Sequence, residues 1–95
     1  MNITTTGRSE PVVLEKTGTY FINIDGANFG GTSVQIDWRA SDADVWTPLK
    51  DENGDPLAAT EATNKEVLMG DGEMSYFLTG GTAIDLDVST KRKPA

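Results

Sequence analysis

Apolar and polar residues alternate along much of this chain, and the period is two. In the run from Thr32 to Arg39, Thr32, Val34, Ile36 and Trp38 fall on one side, and Ser33, Gln35, Asp37 and Arg39 on the other. Successive side chains of a β-strand point to opposite faces, so this pattern predicts a strand with one buried and one wet face. Thr82 to Val88 repeats it, with Ile84, Leu86 and Val88 inward and Asp85 and Asp87 outward. Shorter alternations surround Val12 and Leu14, then Tyr20, Ile22 and Ile24, then Met74, Tyr76 and Leu78. Glu66 to Met69 is a short run without a clear period, and Val45 to Thr47 a short strand stopped by Pro48. Glycine-rich breaks at Asp25-Gly26, Gly30-Gly31, Asn53-Gly54, Gly70-Asp71-Gly72 and Gly80-Gly81 separate these segments as turns. Only Ala58 to Lys65 has a composition suited to helix, and it is too short and too evenly polar for more than one turn. The expected fold class is all-β: a small antiparallel β-sandwich or jelly-roll-like domain of about 7–8 short strands.

Two stretches echo each other. Tyr20-Phe21-Ile22 precedes Gly30-Gly31-Thr32 and the strand through Val34 and Ile36, and Tyr76-Phe77-Leu78 precedes Gly80-Gly81-Thr82 and the strand through Ile84 and Leu86. Both read as β-hairpins: an aromatic strand, a glycine turn and an alternating strand.

Ninety-five residues suffice for one thin core. The chain divides into a flexible, Thr-rich N-terminal arm (1–10), a sandwich domain (11–90) and a basic tail (91–95). No run approaches the ~20 apolar residues that span a bilayer. The first residues lack the basic and apolar regions of a signal peptide, so the chain is expected to stay in the cytoplasm where it is made. Net charge is −7, from 15 acidic and 8 basic residues, which argues against nucleic acid as a partner. The one basic cluster, Lys91-Arg92-Lys93, reads as a solvated tail.

Catalytic constellations are scarce. The chain has no His and no Cys, which removes the usual nucleophilic triads, and no local motif supports a Ser–Lys dyad. The pairs Asp42/Asp44 and Asp85/Asp87 each share a strand face, but Asp85 and Asp87 lie on the wet side, where they keep the face soluble. Asp51, Asn53 and Asp55 resemble the opening of a calcium loop. An EF-hand needs Gly at the sixth position and Glu at the twelfth, and Pro56 and Ala62 stand there, so a turn at Asn53-Gly54 accounts for the segment. No catalytic, cofactor or metal residues are assigned, and a non-enzymatic role is expected.

The expected core is Tyr20, Ile22, Val34, Ile36, Trp38, Ile84, Leu86 and Val88. Phe21, Phe29 and Phe77 fall off the buried parity, and Trp46 is set by no pattern. These four form the expected interface, because aromatics outside the core are enriched where chains meet. Trp46, paired with Trp38 across a polar turn, also suits a carbohydrate-stacking platform.

The order of Gly18-Thr19-Tyr20, Phe29-Gly30-Gly31-Thr32, Val34-Gln35-Ile36, Trp46-Thr47-Pro48-Leu49, Gly72-Glu73-Met74-Ser75-Tyr76-Phe77 and Gly80-Gly81-Thr82 resembles small β-sandwich structural proteins of tailed bacteriophages. The resemblance spans roughly residues 17–89. It departs where Ser41 to Asp44 lacks a Gly before the Trp, and where Met74 replaces an aromatic. It implies a virion protein acting by contact: capsid decoration or cement first, a head–tail or tail-fibre adaptor or a tail-borne carbohydrate-binding module otherwise. The implied partners are further copies of the chain, with a trimer favoured, and the major capsid protein or tail components, with no nucleic acid and no membrane.

Overall fold

The computed structural model describes residues 1–41 and 43–94. Ten strands form two antiparallel sheets: β1 (Asn2–Ile3), β2 (Gly7–Arg8), β3 (Val12–Leu14), β4 (Gly18–Asn28), β5 (Ser33–Arg39), β6 (Thr47–Pro48), β7 (Ala58–Ala59), β8 (Thr63–Met69), β9 (Gly72–Thr79) and β10 (Asp85–Arg92). One sheet runs β1-β10-β4-β8 and the other β2-β9-β5-β6, with β3 also on β9 and β7 also on β5. Because β2 and β3 share the edge of β9, and β6 and β7 the edge of β5, the ten strands fill eight lanes. Numbered along the chain, the lanes are ordered 1-8-3-6 and 2-7-4-5. That is the jelly roll, two packed antiparallel sheets in which consecutive lanes cross from one sheet to the other except between lanes 4 and 5, which pair side by side.

The glycine turns expected to close hairpins bridge the two sheets instead. β4 lies in the first sheet and β5 in the second, while β9 lies in the second and β10 in the first. Alternation shows which side of a strand is buried, but not whether the next strand pairs beside it or packs across from it. The echo has a spatial meaning all the same. β4 pairs with β10 and β5 with β9, so the two units embrace with their sheets exchanged. Their arches are clipped together at one end, where Thr82 N–H donates to Gly30 O at 3.0 Å and Asn28 Nδ2 to Ala83 O at 2.9 Å.

Four segments depart from expectation. Asp25-Gly26 is not a turn but lies within β4, paired with Asp87 and Leu86. Residues 1–10 are not a free arm. Asn2 and Ile3 pair with Asp87 and Leu86, and Gly7 and Arg8 pair with Leu78 and Phe77. Of the two apolar residues in that stretch, Met1 is exposed and Ile3 is buried in the core. Between β2 and β3 the chain bends without losing its pairing, because Tyr76 N–H donates to the Ser9 hydroxyl in place of a ladder carbonyl. In the basic tail, Lys91 and Arg92 close β10 opposite Phe21 and Tyr20. Ala58 to Lys65 holds β7 and the start of β8 rather than a helical turn, since Ala59 opposite Val34 covers the core and a single isolated turn cannot nucleate.

Between the sheets lie Tyr20, Ile22, Ile24, Val34, Ile36, Met74, Tyr76, Leu78, Ile84, Leu86 and Val88, closed at the margins by Ile3, Leu14, Leu57 and Met69. Trp38 is only partly buried against this core, and its Nε1–H donates to Gly70 O at 3.1 Å.

Candidate functional site

The outer face of the second sheet is built in two layers. Register places Asp37 opposite Ser75, Gln35 opposite Phe77 and Arg39 opposite Glu73, all facing away from the core. Arg8, delivered by β2 opposite Phe77, lies across them. Its Nη1 donates to Asp37 Oδ2 at 2.7 Å and to Ser75 Oγ at 2.6 Å, and Gln35 Nε2 donates to Asp37 Oδ1 at 2.8 Å. Asp37 is thereby 2% exposed although it sits on the outward parity of its strand. A carboxylate so withdrawn from water is tolerated only when its lone pairs are filled, and here a guanidinium and an amide fill them.

The same guanidinium sits 4.8 Å from the ring centroids of both Trp46 and Phe77, and Arg39 sits 4.3 Å from that of Trp46. Trp46 and Phe77, expected to be left over for a partner, are half-buried beneath arginines. Such stacking is worth ~0.5–2 kcal/mol per contact, depending on desolvation. A sugar stacking on Trp46 would have to displace a guanidinium. Arg39 also pairs with Glu73 at 3.1 Å.

Phe29 packs against the core, and Phe21 lies 5.9 Å beneath the Lys93 ammonium, which reaches Glu66 at 3.4 Å. All four expected interface aromatics are therefore half-buried. The large apolar side chains exposed to solvent are Met1, Val13, Val45 and Leu68, none of them singled out in the sequence. Val13 sits on the outward parity between two inward residues. Leu68 sits on the outward parity of β8, a strand whose residues show no clear period.

The acidic candidates are held by local structure. Asn2 Nδ2 bridges Asp85 Oδ1 at 2.9 Å and Asp87 Oδ1 at 3.3 Å on the exposed face of the first sheet. Asp51 Oδ1 accepts the N–H groups of Asn53 and Asp55 at 2.8 and 3.1 Å, closing a turn that projects between β6 and β7. Asp42 of the Asp42/Asp44 pair lies outside the described residues. Among the described residues, no three His, Cys, Asp or Glu side chains gather as a metal site. Tyr76 has its pKa raised by burial, partly offset by its hydrogen bond with Thr90, and it is sealed between the sheets.

No family model matches the chain, and no curated protein or solved structure is significantly similar to it.

Proposed function

We propose that this chain is a non-enzymatic structural protein that works by protein–protein contact, as a capsid decoration or cement subunit of a tailed-phage virion. The observation that carries the reading is the second sheet's outer face. Its polar groups are spent on one another, with Arg8, Asp37, Ser75 and Gln35 locked into one network and the Arg8 guanidinium stacked over Trp46 and Phe77. A surface fixed in this way presents a rigid shape, which favours docking because little ordering remains to be done on binding. The jelly-roll architecture recurs among viral capsid and lectin domains, which agrees with the reading at the level of fold alone. The sequence resemblance to phage β-sandwich proteins supplies the virion setting and the expectation of a trimer.

Particles purified from the phage that encodes the chain provide the test. Mass spectrometry should find the chain in them, and antibody labelling seen by electron microscopy should decorate the shell. Label confined to the tail would replace decoration with the adaptor role. Absence from the particles would overturn the virion reading.

A further inference from the structure

Three dipeptides of the chain set an acidic or amide side chain before a glycine: Asp25-Gly26, Asn53-Gly54 and Asp71-Gly72. In such a pair the glycine amide nitrogen can attack the side-chain carbonyl carbon and close a five-membered imide, because glycine puts no side chain in the way. An ionised carboxylate repels that nucleophile, whereas the neutral amide of asparagine does not.

The three glycines stand in different surroundings. Gly26 lies within β4 and Gly72 opens β9, and a Cβ at either would meet a backbone oxygen at 2.4 Å, that of Asp85 and of Arg39 respectively. Backbone held this closely by a neighbouring segment has no room to swing into an imide. Gly54, at φ +81°, has nothing within 4 Å of where its Cβ would be, and Asn53 beside it is exposed.

One residue restrains the open pair. Asp51 O accepts the Gly54 N–H at 3.1 Å, and Asp51 Oδ1 accepts the N–H groups of Asn53 and Asp55 at 2.8 and 3.1 Å. Asp51 N–H donates in turn to Asp55 O at 2.8 Å. The nucleophile is thus held by a carbonyl, and the backbone on both sides of it by a carboxylate. Gly54 N can attack only after it leaves Asp51 O, so the turn must first open locally.

We propose that Asn53 is a site of spontaneous deamidation gated by Asp51. When the turn opens, Gly54 N bonds to Asn53 Cγ and gives up its proton, and the side-chain nitrogen takes up a proton and leaves as ammonia. Water then opens the imide at either carbonyl, giving aspartate or isoaspartate at that position. Either product adds a carboxylate to a turn that already carries Asp51, Glu52 and Asp55. Isoaspartate also adds a methylene to the main chain, inside the ring that the Gly54–Asp51 bond closes. The altered turn strains the pairing of Leu57 N–H with Leu49 O at 2.7 Å, which seats Leu57 in the core.

The test incubates the full folded chain at mildly alkaline pH and follows ammonia release, with peptide mapping to place aspartate and isoaspartate. Product is expected at Asn53 and not as isoaspartate at Asp25 or Asp71, and the same chain held in urea should form it faster. Asp51→Ala should speed the folded reaction by about fivefold or more, in line with the two hydrogen bonds lost. Asp51→Asn keeps an acceptor without the charge and should stay near the original rate. Glu52→Ala removes a charge from the same turn but no bond, and should change nothing. Circular dichroism checks that each variant is folded. Product absent from Asn53, equal rates in the folded chain and in urea, or no acceleration in Asp51→Ala would overturn the proposal. Asp51→Asn or Glu52→Ala as fast as Asp51→Ala would overturn the gate in favour of bare charge.

Discussion

The Thr32 hydroxyl donates to the Thr79 carbonyl at 3.0 Å, joining two arches that lie 47 residues apart in sequence. Thr32 is fully buried. The bond closes the end of the sandwich where both aromatic strands turn over to the opposite sheet, and the glycines beside it are there for space as much as for backbone freedom.

Substitutions in these arches should therefore be graded. Gly30 has φ +63°, and a Cβ there would meet Thr82 O at 2.0 Å; Gly31 has φ +83° with nothing within 4 Å. Gly31→Ala should cost only the left-handed backbone strain, ~1 kcal/mol. Gly30→Ala must in addition push the two arches apart and should cost ~3 kcal/mol or more. Urea unfolding of the two variants checks the ranking, and equal losses would contradict the interlocked geometry.

Arg8→Ala removes the guanidinium from Asp37 and bares two rings. Breaking a buried pair costs ~3–5 kcal/mol, and because the Arg8 side chain is 31% exposed the loss should fall to ~2–3 kcal/mol. Arg8→Lys should recover only part of this, since an ammonium can reach Asp37 and Ser75 but has no planar face to stack on both rings. Denaturation monitored by tryptophan emission reads stability and the Trp46 environment together. A double-mutant cycle with Asp37→Asn should show strong coupling.

Tyr76 predicts an alkaline limit to stability. Burial raises its folded pKa above the ordinary value of 10.0. Between these two values the unfolded chain has released the phenolic proton and the folded chain still holds it. The contribution is thus fully present below pH ~10 and is lost as pH rises from there through the folded pKa. Melting temperature should fall over that range, and more shallowly in Tyr76→Phe, which forgoes the Thr90 hydrogen bond but has nothing to titrate.

The docked N-terminus makes a prediction of its own. Ile3→Ala should cost ~2 kcal/mol by opening a cavity at the margin of the core. Leu68→Ala, at a side chain 72% exposed, should stay within ~0.5 kcal/mol. Thermal melts of the two variants should differ clearly, and matching melts would mean that β1 does not hold its place in solution.

Much of the strand layout was legible because alternation reports burial directly. Val34, Ile36, Leu86 and Val88 stand where period two puts them, and the all-β class follows from such runs separated by glycines. The partner of each strand was not legible, since the same pattern serves a hairpin and an arch. The fate of Trp46 and Phe77 was hidden for a related reason. Their cover comes from Arg8, whose distance in sequence from either ring leaves no trace in local periodicity. Ile3 was masked by polar neighbours, although one apolar residue suffices where an unpaired strand edge is waiting.

Because the lanes pair across the whole length of the chain, almost nothing here can be assembled early. Met1 bonds to a residue 87 positions later, and β4, made near the beginning, finds its neighbour β10 only near the end. Folds dominated by such distant pairings form slowly, over roughly milliseconds to seconds. During synthesis the first sheet must remain incomplete, the edges of β1 and β4 unguarded, until β10 has emerged and can slot between them.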